Sequence, residues 1–278
     1  MHVLTLQTAL LLALLGAGVG AFGTLVGVGG GFILTPLLLI LYPNEAPETL
    51  AAIGLVAVFA NAGSGSLAYW RQRRIDLPTG LLFAAAALPG AVLGALATGL
   101  LPRRAFDLLM AALLAVLAAW LAVPRRPGRR PPAGRLTRRH LVDRAGHEFD
   151  YRVPLVRGAG YSVGVGFASS LLGIGGGVIH VPLLVRALGV PTHVATATSH
   201  FVLAIMAGTA SVTHVLAGSF GGGHGVYRAL VLAVSLALGA QAGARLSGRV
   251  SARLIERMLT VALVLLAVRL GWTAVGPA

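Results

Sequence analysis

Two glycine clusters at corresponding places in the chain have the composition of an anion-binding backbone. Gly29-Gly30-Gly31 is followed five residues later by Pro36, and Gly175-Gly176-Gly177 is followed at the same spacing by Pro182. Glycines let the backbone approach a ligand closely, and a helix that begins after them presents free N–H groups and the positive end of its dipole. Such a helix end suits an anion. Glycines also permit tight helix packing, but two matched clusters favour a substrate site at all six glycines.

Hydroxyl and amide side chains near these clusters are candidates to complete the site, because they donate hydrogen bonds to the oxygens of an oxyanion. Each alone is more often a structural residue, since Ser and Thr commonly bond the carbonyl four residues earlier in a helix. The candidates for substrate contact are Thr35, Asn61, Thr198 and Ser199, with Ser64 and Thr209 as further polar positions.

Three histidines, His180, His200 and His214, lie in apolar segments of the second half and are the titratable groups available to a proton-coupled process. His200 is the first candidate for substrate binding because it follows Thr198-Ser199. A neutral, hydrogen-bonded structural histidine explains His200 equally well and explains the other two better. The spacing of His, Asp and Glu does not match a metal site and the chain has no cysteine, so no metal and no cofactor are expected.

These residues lie in a chain that is too apolar for a water-soluble fold. Of its 278 residues, 56% are hydrophobic and 11% are charged, and the mean hydropathy is +0.85. A soluble fold of this composition would expose too much apolar surface. The net charge is +14, but the basic residues lie at the ends of apolar runs, so no nucleic-acid partner is expected. The composition predicts an all-α, polytopic membrane helix bundle.

The apolar runs predict eight to ten helical segments. The first run has no preceding Arg or Lys and exceeds the length of a signal-peptide core, so it is expected to be a retained membrane helix. Two shorter runs, Phe32–Tyr42 and Val178–Leu188, follow the glycine clusters. The long runs are Val3–Val26, Leu50–Trp70, Gly80–Leu101, Phe106–Val123, Gly158–Leu172, Val194–Leu216, Ala229–Leu246 and Leu254–Val275.

An internal duplication divides the chain into two membrane repeats, residues 1–123 and 158–278, which a basic linker of residues 124–157 joins. The glycine clusters match at a constant offset of 146 residues. Gly90-x-x-x-Gly94 matches Gly239-x-x-x-Gly243, and this spacing is typical of close helix contacts rather than of a binding site.

The number of segments per half decides how the repeats are oriented. Counting each short run separately gives five segments and an inverted second repeat, whereas joining it to the preceding helix gives four segments and parallel repeats. The positive-inside rule favours the inverted arrangement. With the linker in the cytoplasm, it places Arg71–Arg74 and Arg245–Arg257 inside and the Glu45–Glu48 and Gly218–Gly225 loops outside. Only Arg103 and Arg104 disagree.

The linker contains several prolines and a run of arginines, and we expect it to be a flexible cytoplasmic connector that also touches anionic membrane lipid. The expected location is the inner (cytoplasmic) membrane. The sequence leaves a homo-oligomer open.

The glycine clusters carry a family resemblance. Gly27-Val-Gly-Gly-Gly-Phe-Ile-Leu-Thr-Pro36 and Gly173-Ile-Gly-Gly-Gly-Val-Ile-His-Val-Pro182 resemble the duplicated signature of the TauE/SafE family, and Ala197-Thr-Ser-His200 is also similar to that family's pattern. The resemblance covers nearly the whole chain and implies a permease that exports sulfite or organosulfonates. Ala52-Ile-Gly54 stands where this pattern has Ala-Thr-Ser, so only one half supplies the Thr-Ser pair.

Three functions are therefore in view. The first is a secondary transporter of a small anionic substrate that works by rocking between the two halves. The second is an anion channel, which would share every sequence feature of the first. The third is an intramembrane hydrolase that uses Ser64 or Ser66 with His200 or His214, against which stands the lack of an orienting acid.

Overall fold

A computed structural model of the chain describes residues 6–123, 136–220 and 223–275. The helices are α1 (Leu6–Leu25), α2 (Gly31–Leu41), α3 (Pro47–Arg71), α4 (Leu77–Thr98), α5 (Arg103–Ala122), α6 (Leu155–Leu171), α7 (Gly177–Ala187), α8 (Thr192–Leu216), α9 (Gly223–Ser247) and α10 (Ala252–Val275). The predicted all-α membrane bundle is confirmed: ten helices lie in these ranges, and six are long and apolar enough to cross a membrane.

The ends of the helices follow from local residue types. α3 begins at Pro47, whose missing N–H costs nothing in the first turn. The carboxylate of Asp76 caps α4 by accepting the Thr79 N–H at 3.3 Å. α2 and α7 begin directly after Gly30 and Gly176, whose left-handed backbone (φ 76° and 83°) separates each short helix from the helix before it. The last residues of α7, Leu183–Ala187, have π-helical geometry.

The two repeats exchange their first helices. α1 packs against α9 of the second repeat, and α6 packs in the same way against α4 of the first repeat. Small residues permit both contacts: a Cβ on Gly90 would lie 2.1 Å from Val163 O, and one on Gly239 would lie 2.1 Å from Ala17 O. The predicted helix-contact role of the paired glycine motifs is confirmed. The result is two bundles of mixed origin, α1–α3–α9 and α6–α4–α8, which meet where α3 packs against α8.

Contacts at the two ends of the bundle show that the second repeat is inverted. At one end of the bundle, Arg228 near the start of α9 pairs with Glu45 at 2.8 Å, and the Thr49 hydroxyl donates to Ser219 O at 2.8 Å. At the other end, Gln72 beyond α3 donates to Ala244 O in the last turns of α9 at 3.1 Å. A parallel repeat would place the partners in each of these contacts on opposite faces of the membrane.

Arg103, which disagreed with the inverted arrangement by charge, has a structural role. Its guanidinium donates to Leu39 O at 2.6 Å and to Pro43 O at 2.9 Å, and it pairs with Asp107 at 3.0 Å. It therefore satisfies carbonyls at the C-terminal end of α2, where a cation is favourable.

The linker differs from the flexible connector predicted for it. Thr137–Val142 and Glu148–Val153 form an antiparallel hairpin (strands β1 and β2), and α6 already begins at Leu155. Asp143 closes the hairpin turn by accepting the N–H groups of Ala145 and His147 at 2.9 and 3.0 Å. Inward-facing Tyr151 and Val153 alternate with exposed residues, which makes the second strand half-buried. Residues 124–135 lie outside the described residues.

Candidate functional site

The two glycine breaks meet at the centre of the bundle. A Cβ on Gly31 would lie 2.5 Å from Ile174 O, and a Cβ on Gly177 would lie 2.4 Å from Val28 O, so each break packs against the backbone of the other. Residues 27–31 and 173–177 are all buried. α2 ends beside Arg103 at the start of α5, whereas α7 ends where Arg186 donates to Val123 O beyond the other end of α5. The two short helices therefore start together and run in opposite directions.

The backbone at each break makes local turns before the short helix begins. Val28 N and Gly29 N both donate to Gly23 O, at 2.7 and 3.1 Å, and Ile174 N donates to Ser169 O at 3.1 Å. The first N–H groups of a helix have no acceptor within that helix. Neither Gly30 nor Gly176 supplies a side-chain cap, so the positive ends of α2 and α7 converge without a capping side chain.

One face of α3 and one face of α8 lie against these breaks at equivalent positions. A Cβ on Gly173 would lie 2.5 Å from Ala51 of α3, and a Cβ on Gly27 would lie 2.5 Å from Thr196 of α8. Further along the same faces, Val58 and Leu203 contact the first glycine of each cluster, Gly29 and Gly175. Ser199 lies three residues after Thr196 and four before Leu203, so helical spacing puts it on the face that meets the breaks.

The hydroxyls of Thr35 and Ser199 differ in their hydrogen bonding. Thr35 donates to Gly173 O at 2.7 Å and is thereby a structural contact between the breaks. Gly54 stands at the place equivalent to Ser199, and a Cβ there would lie 2.5 Å from the Thr35 oxygen. The Ala52-Ile-Gly54 departure thus has a physical reason, since Thr35 occupies the space that a serine would need. The Ser199 hydroxyl is fully buried and has no hydrogen-bond partner among the described residues.

Asn61 and His200 belong to a polar cluster beside the first break. The Asn61 amide donates to Gly20 O at 3.1 Å and to Leu236 O at 2.9 Å, and its oxygen accepts from Thr24 at 3.1 Å. The Thr24 hydroxyl also lies 3.2 Å from His200 Nε2, and Tyr69 contacts the His200 ring edge-on. Asn61 therefore ties α3 to α1 and α9.

Thr198 points to a different partner. Its oxygen accepts the backbone N–H of Asp76 at 3.0 Å, in the loop between α3 and α4. The Asp76 carboxylate accepts the Tyr151 hydroxyl of the hairpin at 2.7 Å. Burial, followed by the hydrogen bond to this carboxylate, raises the pKa of Tyr151. Thr198 therefore connects α8 to the loop on which the hairpin docks, rather than to the glycine breaks.

Two buried polar residues, Ser169 and His180, lie on either side of the second break, and the sequence analysis did not connect them with it. A Cβ on Gly176 would lie 2.9 Å from the Ser169 oxygen, and this buried hydroxyl has no hydrogen-bond partner among the described residues. His180 Nε2 lies 3.1 Å from the Ser162 hydroxyl. The signal that could have found Ser169 was its position four residues, or about one helical turn, before Gly173.

The remaining candidates lie away from the breaks. Ser64 donates to Ala237 O at 2.7 Å, and His214 Nδ1 lies 3.1 Å from the Ser219 hydroxyl. Neither Ser64 nor Ser66 is hydrogen-bonded to a histidine within the described ranges. Thr209 donates to Ile205 O at 3.0 Å and lines an apolar groove of about 900 Å³ between α3, α4 and α8. The glycine breaks do not line this groove.

The architecture and the central pair of broken helices define a polytopic membrane transporter, and sequence comparisons give its family. The chain belongs to the sulfite exporter TauE/SafE family, whose model matches residues 12–270. It is similar to a probable membrane transporter protein, YunE, of Bacillus subtilis (strain 168), with 30% identity over 75% of this chain and 78% of that protein. A probable membrane transporter protein of Xylella fastidiosa (strain 9a5c) is 29% identical over 68% of this chain and 67% of that protein. No solved structure matches the chain.

Proposed function

We propose that this transporter moves a small oxyanion, sulfite or an organosulfonate, across the cytoplasmic membrane, and that the substrate binds where the two glycine breaks meet. The observation that carries the proposal is the convergence of the N-terminal ends of α2 and α7 in a buried centre, where the N-cap residue of each helix is a glycine without a capping side chain. Unwound segments at the meeting point of inverted repeats are the usual place for a transporter's substrate.

The chemistry of the residues at this centre suits an oxyanion. The first-turn N–H groups and the positive ends of two helices attract negative charge without burying a cation. The Ser199 and Ser169 hydroxyls are buried and unpartnered within the described part of the chain, so they are available as further donors. Residues 27–31 and 173–177 are buried, so a substrate can reach them only if the bundles separate.

Transport then requires alternate opening of this site. The bodies that rock are the two mixed bundles, α1–α3–α9 and α6–α4–α8, rather than the two halves of the sequence, because α1 and α6 each pack on the opposite repeat. Outward movement driven by an ion gradient is the direction that the family resemblance favours. An anion channel remains the second candidate, and accumulation against a gradient distinguishes the two.

The test is flux of radiolabelled sulfite into proteoliposomes, with and without an imposed proton gradient. Gly176→Leu places a side chain at a left-handed backbone position, against Met206 and Ser169, and we expect it to abolish flux. Gly164→Leu is the matched control, since a Cβ on Gly164 meets nothing within 4 Å. Gradient-stimulated flux that is equal in the two variants would contradict a site at the break. Absence of flux in the wild type would exclude sulfite as the substrate, and the same test would then be made with organosulfonates.

A further inference from the structure

A basic pocket lies on the linker side of the bundle, where the end of α3 meets the hairpin turn. It has a volume of about 550 Å³ and is lined by Trp70, Arg71, Arg73, Asp143, Arg144 and Gly146. The guanidinium groups of Arg71, Arg73 and Arg144 are exposed and have no ion pair or hydrogen bond within the described ranges. Three arginines therefore line one pocket, and none of them has a counter-ion among the described residues.

The single acid in the pocket is already neutralised. Asp143 accepts from Arg74 Nε at 3.1 Å and from Arg74 Nη2 at 3.0 Å, and its other oxygen accepts two backbone N–H groups of the hairpin turn. His147 Nδ1 lies 3.2 Å from the same carboxylate. Arg74 is buried and does not line the pocket, so its charge cancels that of Asp143 and leaves the three exposed arginines uncompensated.

The backbone at Arg73 shows that this arginine is present against local preference. Its φ is +57°, the one left-handed residue other than glycine in the described part of the chain. The position is the one after the last turn of α3, where Arg73 N donates to Trp70 O and Arg74 N to Tyr69 O. Beyond the end of α8, Gly218 and Ser219 make the same two hydrogen bonds. There the left-handed residue is glycine, with φ +70°. The other repeat thus shows which residue the backbone alone would select.

We propose that this pocket binds a phosphate oxyanion, presented by a phospholipid headgroup or free in the cytoplasm. Arginines offer planar donors that match phosphate oxygens. Trp70 is 54% exposed at the end of a membrane helix, which is the position of interfacial aromatic residues. A phosphate held by Arg71, Arg73 and Arg144 bridges α3 to the hairpin turn. The site is separate from the glycine breaks and does not depend on which substrate the protein transports.

The experiment uses the full chain in detergent micelles with Trp70 as the reporter, after Trp120→Phe and Trp272→Phe. Short-chain phosphatidylglycerol and inorganic phosphate are titrated separately, and short-chain phosphatidylcholine measures the effect of acyl chains alone. We expect a saturable change in fluorescence with phosphatidylglycerol, with phosphate, or with both. Arg71→Ala and Arg144→Ala each weaken binding by about fivefold, the contribution of one arginine near an anionic surface. Arg152→Ala removes an exposed arginine of the hairpin that does not line the pocket and leaves binding unchanged.

Arg73→Gly separates binding from folding. Glycine relieves the left-handed backbone, so the variant keeps or raises the midpoint of thermal unfolding while its binding weakens by about fivefold. Saturation by phosphatidylglycerol alone assigns the site to a lipid headgroup, and saturation by inorganic phosphate assigns it to a free oxyanion. No saturable response to either ligand overturns the proposal, as does wild-type affinity in Arg73→Gly and Arg144→Ala.

Discussion

Val58 of α3 and Leu203 of α8 together fill the space between the two glycine breaks. A Cβ on Gly29 would lie 2.2 Å from Leu203 Cδ2, and a Cβ on Gly175 would lie 2.4 Å from Val58 Cγ1. The two side chains occupy equivalent positions in the two repeats, and both are fully buried. They lie where the N-terminal ends of α2 and α7 converge, at the proposed substrate site, and we call this pair the apolar barrier.

Shortening this barrier should allow leakage. Leu203→Ala removes apolar atoms between the breaks, and we expect sulfite flux without a gradient to rise about tenfold, which corresponds to about 1.4 kcal/mol off the barrier. The leak is measured as the flux of radiolabelled sulfite into proteoliposomes without an imposed gradient. Leu93→Ala shortens an exposed leucine of α4 and is the matched control. An unchanged flux in Leu203→Ala, with the thermal midpoint retained, would show that Leu203 does not lie in the path.

The hydroxyl of Ser199 can be tested without disturbing the fold. Because it has no partner among the described residues, Ser199→Ala should leave the thermal midpoint unchanged or raise it slightly. If the hydroxyl donates to an anionic substrate, flux falls by about tenfold or more, since a hydrogen bond to a charged group contributes about 1.5–3 kcal/mol. Ser66→Ala removes another buried, unpartnered hydroxyl and serves as the control. Equal flux in both variants would remove Ser199 from the site.

The close contact between the breaks predicts that alanine substitutions at two glycines of the second repeat have opposite effects on thermal stability. Gly177→Ala places a methyl group 2.4 Å from Val28 O, so the breaks must separate and the thermal midpoint of the detergent-solubilised protein should fall. Gly164→Ala meets nothing within 4 Å in α6 and should stabilise the helix by about 0.5–1 kcal/mol. A thermal midpoint for Gly177→Ala at or above that of Gly164→Ala would contradict the packing described.

The docking of the hairpin depends on an ionised Asp143. Burial opposes its charge, but hydrogen bonds from His147 and Arg74 outweigh burial and lower the pKa to about 2. Because the pKa of this carboxyl is lower in the folded state than in the unfolded state, its ionisation stabilises the fold. This stabilisation is fully present at pH values above the unfolded-state pKa of about 4, and it is lost as the pH falls through the folded-state pKa. Protection of the Arg144 N–H, which donates to Gln72 O at 2.9 Å, should therefore stay constant from pH 8 to 5 in hydrogen exchange corrected for intrinsic rates.

Asp143→Asn should lower that protection at every pH in this range, whereas Asp150→Asn, at an exposed position of the hairpin, should lower it less. A loss of protection in the wild type between pH 7 and 5 would contradict control of docking by the ionised Asp143 carboxylate.

The sequence predicted the elements well because apolar runs and glycine clusters report directly on membrane helices and their interruptions. The short helices α2 and α7 begin within a residue of their predicted starts. The inverted arrangement was predicted from arginine bias, and the Arg228–Glu45 pair supports it. Arg103 disagreed because a charge rule cannot recognise a guanidinium that is used to cap α2.

The site was less predictable because side-chain use depends on packing between repeats. Thr198 and Asn61 stay predictions as substrate contacts, and the contacts that they make, with Asp76 N–H and with carbonyls of α1 and α9, could not be read from the sequence. Val58 and Leu203 are ordinary core residues in sequence, and only the fold places them between the breaks. The hairpin was missed because its two short strands lie in a region dominated by arginines and prolines, whose composition resembles a connector.

The exchange of first helices has a consequence for biogenesis. α1 is synthesised well before its main packing partner, α9, because seven other helices lie between them in the chain. Until α9 is synthesised, the small-residue face of α1, with Gly16 and Gly20, lacks the helix against which it mainly packs. The order of membrane insertion therefore differs from the order of assembly, and a nascent chain that ends before α9 contains every part of the first repeat without its main partner for α1.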